Sequence, residues 1–237
     1  YESRSTQSFI DNSLRENYLF NSTINGIEES DFILLIGTNP RFEATMVNAR
    51  IRKAYLNNRV KTFSLNDVGD LTYPYKFLDG KTQTIKDIAE NQNEISKKII
   101  DSKKPMIILG ESFLKSKSAN YLFYSLKNFL LKNNKFNDEW NPLNILSTNA
   151  STVGNYDLDI INNKENLIKD LNENKFELIY LLGQDNLDFN KKDEFIIYQG
   201  SHGDKGAEIA DIILPGAAYT EQSAHFTNLE GKIQKAF

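Results

Sequence analysis

An apolar run, Leu34-Leu35-Ile36, opens into Gly37-Thr38-Asn39-Pro40-Arg41, and here the sequence offers its clearest chemistry. Glycine permits a sharp turn, Thr38 and Asn39 are helix-capping types, and Pro40 suits a first helical turn. A helix that starts this way points backbone N–H groups at an anion. Arg41, Arg50 and Arg52 add guanidinium forks that could hold a phosphate or pyrophosphate. A second polar, glycine-rich loop, Gly200-Ser201-His202-Gly203-Asp204-Lys205-Gly206, follows another apolar run. His202 and Asp204 are proton-moving types. They lie too close in sequence to orient one another unless the loop folds back, and no serine nucleophile in an elbow sequence accompanies them. A loop held by its own hydrogen bonds is the simpler reading.

The rest of the chain narrows the chemistry by what it lacks. Among 237 residues there is no cysteine, which removes disulfides, thiolate metal sites, iron–sulfur ligation and a thiolate nucleophile. The other histidine, His225, stands alone, and neither histidine belongs to a metal-ligand spacing such as His-Glu-x-x-His. Asp67, Asp70 and Asp79 fall near Gly69 and Gly80 without the alternating pattern of a calcium loop, and read as solvated turn residues. A net charge of -4 and a pI near 5.4 argue against nucleic acid and against an anionic membrane surface. The longest apolar stretches, such as Phe32–Ile36, are about a quarter of the roughly 20 residues that cross a bilayer, so no direct membrane insertion is expected. Tyr1-Glu2-Ser3-Arg4-Ser5 has neither an initiator Met nor the apolar core of a secretory signal.

The elements that must position these loops follow from periodicity. Leu34–Gly37, Ile107–Gly110, Tyr180–Gly183 and Ile196–Gly200 are short apolar runs ending in glycine. Unbroken apolarity, rather than alternation, predicts strands covered on both faces, as in a parallel sheet between helices. Further strands are expected at Lys61–Leu65 and Ile212–Leu214. Helices are expected on the faces marked by Phe42, Met46 and Ala49, by Ile85, Ile88, Ile95 and Ile99, and by Ala119, Leu122, Leu126 and Phe129, with another from Ile160 to Asn172. This alternation predicts an α/β fold with doubly wound, mostly parallel, Rossmann-like sheets. Ser102-Lys103-Lys104-Pro105 offers a possible subdivision near residue 103. The Asn-rich stretch Asn133–Asn155, with Trp140 and Pro142, reads as an exposed connection.

Several blocks resemble one family in one order. They are Asn17-Tyr18-Leu19-Phe20-Asn21-Ser22-Thr23-Ile24, Ile27–Asp31 leading into Gly37–Ala44, Asn48–Lys53, Asp70-Leu71-Thr72-Tyr73, Lys103-Lys104-Pro105-Met106, Tyr198-Gln199-Gly200 through Asp204, and Ala210–Glu221. Together they look like the 75 kDa subunits of respiratory complex I, the NADH:ubiquinone oxidoreductase. The block ending Asn228-Leu229-Glu230-Gly231-Lys232 also resembles molybdopterin oxidoreductases such as formate dehydrogenase, whose loops cradle a pterin dinucleotide. Lys232 stands where that wider family usually has Arg, and Ala224-His225 where it has Gly-Thr.

The resemblance implies that residues 1–237 are part of a molybdopterin-oxidoreductase-like domain. It implies a non-catalytic portion of the subunit in the peripheral, matrix-side arm at the mitochondrial inner membrane. Such a piece supports electron transfer from NADH to ubiquinone, coupled to proton translocation, without performing it. No cofactor or metal is expected in this chain, and the iron–sulfur clusters are expected in an amino-terminal part of the subunit that precedes Tyr1. Whether the subunit is then encoded in pieces or seen as a fragment stays open. Expected partners are other peripheral-arm subunits and that iron–sulfur part. Gly37, Asn39, Arg41, His202, Asp204, Asn228 and Gly231 are then residues of a vestigial crevice. Two rivals remain at this point: an active molybdopterin-dependent oxidoreductase fragment, and a free-standing nucleotide-binding regulator, which lacks any full Gly-x-Gly-x-x-Gly.

Overall fold

A computed structural model describes residues 9–150, 152–160, 167–185 and 189–236. The chain forms two compact units that part after Ala150, the larger one also taking in Leu229–Gly231. Residue 103, the expected subdivision, lies inside the larger unit and directly precedes a strand of its central sheet.

In the larger unit β1 (Phe32–Ile36), α1 (Pro40–Glu43), α2 (Thr45–Asn58), β2 (Lys61–Ser64), β3 (Lys76–Phe77), α3 (Thr82–Ala89), α4 (Glu94–Asp101), β4 (Pro105–Gly110), α5 (Glu111–Leu114), α6 (Ala119–Lys132) and β5 (Leu143–Leu146) follow in order. All five strands are parallel, in the spatial order β3-β2-β1-β4-β5. Leu34 sits between Phe63 and Ile107 in this register. The order reverses between β1 and β4, and because right-handed crossovers change face when the direction reverses, both faces of the sheet are covered.

The two covered faces account for the unbroken apolarity of β1 and β4, all of whose residues are buried. Leu34, Ile36, Ile107 and Leu109 pack with Ile85 and Ile88 of α3, Ile95 and Ile99 of α4 and Leu122, Leu126 and Phe129 of α6. Ile33, Leu35, Met106 and Ile108 turn to the other side, against Val47, Ile51 and Ala54 of α2, with Ile27 and Trp140. Each such aliphatic side chain contributes about 1.5–3 kcal/mol relative to exposure.

Two expectations fail here. Phe42, Met46 and Ala49 do not mark a buried face: Phe42 is 79% and Met46 67% exposed, and Ala49 is exposed too. The helix breaks at Ala44, whose φ of -153° and ψ of 74° are not helical, so α2 starts in a new phase. Nor is Asn133–Asn155 simply an exposed connection. It contains buried β5 and buried Trp140, whose Nε1–H donates to the Pro105 carbonyl at 2.8 Å. Beyond β4, β5 is also held by the Leu19–Phe20 segment, to whose Leu19 carbonyl the Ile145 N–H donates.

The smaller unit contains α7 (Thr152–Asp157), α8 (Leu167–Asn172), β6 (Leu178–Leu182), β7 (Phe195–Gly200), α9 (Lys205–Ile209), β8 (Ile212–Pro215), β9 (His225–Thr227) and β10 (Ile233–Lys235). The expected helix Ile160–Asn172 is described only as α8, since residues 161–166 lie outside the described residues. β6, β7 and β8 form a parallel sheet in sequence order, while β9 and β10 make an antiparallel hairpin. Leu171, Leu181, Phe189, Ile196 and Tyr198 form the core of this unit on one face of the sheet. The other face was expected to be covered as well, and it is exposed.

Candidate functional site

In a doubly wound sheet a ligand crevice opens where the strand order reverses, outside the carboxyl ends of the strands. In the larger unit that point lies between the ends of β1 and β4. Gly37 leaves β1 with a φ of +66°, a region that disfavours any side chain. The loop after β4 comes hard against it. A Cβ added to Gly37 would lie 2.3 Å from the Phe113 backbone nitrogen, and one added to Gly110 would lie 2.4 Å from Thr38 Cβ and 2.5 Å from the Gly37 carbonyl oxygen. The Ser112 N–H donates to that carbonyl at 3.1 Å. Two glycines thus let the two loops touch, with no room for a Cβ on either.

Most of the side chains chosen for anion binding are engaged within the protein, while Arg52 is exposed. Gly37 N–H donates to Asn66 Oδ1 at 2.9 Å, and Thr38 Oγ1 donates to Glu43 Oε2 at 2.6 Å rather than capping α1. Asn39 Nδ2 donates to the Val68 carbonyl at 3.0 Å, while its Oδ1 is buried without a hydrogen-bond partner among the described residues. Arg41 bonds both the Asp70 carbonyl, at 2.5 Å, and Asp70 Oδ2, at 2.7 Å. The N–H of Thr72, and then the Arg41 guanidinium, hold the Asp70 carboxyl below its ordinary range. Arg50 pairs with Glu28, which Lys53 also reaches at 2.8 Å. Pro40 does occupy the first turn of α1, but that helix is only four residues long. Asn39 and Arg41 therefore clamp the loop between β2 and β3, as does buried Asn48, which donates to the Leu71 carbonyl and accepts from Tyr73 Oη–H.

In the smaller unit the glycine-rich loop is organised by a residue the sequence did not single out for chemistry. Tyr198 is buried, and its hydroxyl lies 2.7 Å from the His202 carbonyl and 3.0 Å from Asp185 Oδ2. Burial, and then the Asp185 carboxylate, push its pKa up. Asp185 Oδ1 accepts from the Gly206 N–H at 3.1 Å. A Cβ at Gly206 would stand 2.6 Å from the Gln184 carbonyl and 2.7 Å from the Tyr198 ring. Asp204 caps α9 by accepting from the Lys205 N–H, and His202 Nδ1 lies 2.9 Å from Ser201 Oγ. His202 and Asp204 thus serve a loop held by hydrogen bonds.

Asn228 closes the turn between β9 and β10, its Oδ1 accepting from the Lys232 N–H at 2.9 Å. Gly231, with a φ of +76°, belongs to the larger unit, where its carbonyl accepts from Arg15 at 2.8 Å and a Cβ would meet that guanidinium at 2.6 Å. The seven residues expected in one crevice thus divide among local roles. Gly110, Asn66, Tyr198 and Asp185 complete those roles. Of these, Gly110 had a sequence signal, since it ends an apolar run just as Gly37 does. Among the described residues, no group of three His, Asp or Glu side chains is placed to hold a metal ion, and no helix is long and apolar enough to cross a membrane.

Comparison with known proteins gives these features a family context. The sequence profile described as molybdopterin oxidoreductase matches residues 1–237. The NADH-ubiquinone oxidoreductase 75 kDa subunit of Reclinomonas americana is 43% identical over 223 residues, 93% of this chain and 32% of that protein. The mitochondrial NADH-ubiquinone oxidoreductase 78 kDa subunit of Candida albicans is 42% identical over 225 residues, 93% of this chain and 30% of that protein. Its Neurospora crassa counterpart is 39% identical over 227 residues, 93% of this chain and 29% of that protein. The chain spans about a third of the length of these relatives.

Proposed function

Because the chain belongs to the molybdopterin oxidoreductase family along its whole length, we propose that it is the non-catalytic, structural part of the 75 kDa-type subunit of mitochondrial NADH:ubiquinone oxidoreductase. In this reading it stands on the matrix side, in the peripheral arm. It holds no cofactor and supports the path from NADH to ubiquinone, coupled to proton translocation, by scaffolding the iron–sulfur part of the same subunit and neighbouring subunits. The observation that carries the reading is the close contact of the two loops at the switch point. Where a doubly wound sheet usually seats a ligand, the Phe113 backbone, Thr38 and the Gly37 carbonyl stand so close to Gly37 and Gly110 that neither has room for a Cβ. The smaller unit's glycine loop is likewise filled by Tyr198. This tight packing supports a reading in which the chain does not hold the group that the family name implies. The chain also has no cysteine to ligate molybdenum or an iron–sulfur cluster. The similarity to complex I subunits supports the choice of assembly.

The test is native electrophoresis of mitochondrial membranes, with the chain located by mass spectrometry, and metal analysis with absorbance on the isolated chain. Comigration with NADH:ubiquinone oxidoreductase activity, and a chain free of molybdenum and iron, is the expected result. A cluster or molybdenum on the isolated chain overturns the scaffold reading, and migration apart from that activity overturns the assembly. One observation favours a second reading, an active molybdopterin-dependent fragment: Asn39 Oδ1 is an unused, buried acceptor beside the switch point. Extraction of a pterin from the purified protein decides for it, and a clean negative decides against it.

A further inference from the structure

Among the described residues, one apolar face of the smaller unit's sheet is left exposed. Registered neighbours share a face in a parallel sheet, so Leu178, Tyr180 and Leu182 of β6, Phe195 of β7, and Ile212 and Leu214 of β8 all point the same way. All six are exposed, Leu178 and Leu182 by 57% and 58%. On the opposite face Leu181, Ile196 and Tyr198 are buried against Leu171 of α8, Phe189 in the β6–β7 connection, and Ala207 and Ile209 of α9, while Ile213 of the edge strand β8, which shares that face, is 58% exposed. Parallel sheets are covered on both sides, and the same unbroken apolarity is fully buried in β1 and β4.

Connectivity explains the asymmetry. β6, β7 and β8 are neighbours in sequence order, so each right-handed crossover advances in one direction and falls on one face. In the larger unit the order reverses at β1 and β4, and α2 lies on one face with α3, α4 and α6 on the other. The smaller unit has no such reversal among its described strands. Strands laid outward from the free edge of β6 in reverse order would bring their crossover helices onto the bare face.

We infer that the bare face of the β6–β8 sheet is the seat of amphipathic helices from the remainder of the same subunit. That remainder corresponds to the roughly two thirds of the relatives that lie outside the match, carried on one polypeptide with this chain or supplied as another. Its strands extend the sheet past β6, and Leu178, Tyr180, Leu182 and Phe195 become the floor of a shared core. The inference rests on family membership and strand order, and goes beyond the proposed function.

Hydroxyl-radical footprinting of the purified assembly that contains this chain, compared with the 237-residue chain alone, tests it without any substitution. The expected result is loss of labelling at Leu178, Tyr180, Leu182 and Phe195 on assembly. Photo-cross-linking from Tyr180→p-benzoylphenylalanine, read by tandem mass spectrometry, then identifies the cover. Cross-links to peptides homologous to the rest of the relatives' sequence support the inference. Labelling that persists in the assembly overturns it, as do cross-links to a second copy of this chain or to an unrelated subunit. A chain found outside NADH:ubiquinone oxidoreductase, yet cross-linked to the rest of its own subunit, overturns the proposed function and leaves this inference standing.

Discussion

Replacing Gly110 with alanine measures whether the switch point is closed by the chain's own backbone. Gly110 has a φ of -101° and a ψ of -178°, open to any residue, so the substitution carries no left-handed strain. Its new Cβ would stand 2.4 Å from Thr38 Cβ and 2.5 Å from the Gly37 carbonyl oxygen, where carbon atoms rest at about 3.5–4 Å. Relief needs more than an ångström of movement, and the obstructing groups include backbone held by the Ser112–Gly37 hydrogen bond. The expected loss is about 3 kcal/mol, the upper end of ordinary overpacking. Gly69→Ala is the control, with a φ of +68° and no atom within 4 Å, so only left-handed strain of about 1–2 kcal/mol applies. Gly37→Ala combines strain with contact and should cost about 4 kcal/mol or more. Urea titration followed by Trp140 fluorescence reads this directly, because Trp140 is the single tryptophan and lies buried in the larger unit. With a slope of about 1–3 kcal/mol per molar urea, a 3 kcal/mol loss lowers the midpoint by about 1 M or more. A Gly110→Ala midpoint equal to that of the wild type would refute the reasoning, because the loops would then part freely and the crevice would have room for a ligand.

Three further outcomes follow from other contacts. Asn144→Leu should destabilise the larger unit by about 2–3 kcal/mol in the same titration, because it strips the Ser22 N–H of its acceptor, 2.8 Å away, in a fully buried place. Asp31 is subject to burial, which raises its pKa, but hydrogen bonds from Ser102 Oγ and the N–H groups of Lys103 and Lys104 outweigh it and hold the carboxyl below 3.8. A depressed folded-state pKa gives stability that is present above about pH 4 and is lost as pH falls through the folded value. Asp31→Asn should therefore lower stability at neutral pH, by about 1 kcal/mol after allowing for its exposure, and the difference from wild type should shrink below pH 4. An equal deficit at pH 3 and pH 7 would count against that account. Tyr198→Phe should loosen the 200–206 loop by removing the hydroxyl shared by Asp185 and the His202 carbonyl. Limited proteolysis at Lys205 should then run faster than in wild type, and unchanged cleavage would argue that the loop does not depend on that bond.

Much of the larger unit is legible in the sequence because short-range pattern and long-range packing agree there. β1 and β4 are unbroken apolar runs in a sheet covered on both faces, and Ala119, Leu122, Leu126 and Phe129 mark the buried side of α6. Where they disagree, the pattern misleads. Asn144 makes β5 look like loop, yet partners more than a hundred residues away satisfy its amide. Ala44 breaks a helical phase that spacing alone carries through, and Phe42 and Met46 end up in solvent. In the candidate site Gly37 is visible from sequence, but what uses up Asn39 and Arg41 is not: Val68 and Asp70 lie 29 residues further on, in a loop whose path the sequence leaves open. Tyr198 reads as a strand residue, and only the fold brings Asp185 and the His202 carbonyl to its hydroxyl.

β1 and β6 have nearly the same local sequence, an aliphatic run closed by a glycine, yet one is wholly buried and the other is half bare. A strand's composition states that it needs cover on both faces, and connectivity decides where that cover comes from. Within the larger unit the reversal between β1 and β4 supplies helices to both faces, and Gly37 and Gly110 bring two loops into close contact where such a reversal usually leaves a ligand crevice. The smaller unit has the opposite balance, with β6 and β7 packed on one face and exposed on the other, apolar one. The tight loop contact at the switch point and the exposed apolar face of the smaller unit are the two features on which the proposed scaffold role rests. They are separable by experiment: Gly110→Ala acts on the loop contact and should leave the footprint at Tyr180 unchanged, since the two sites lie in different compact units.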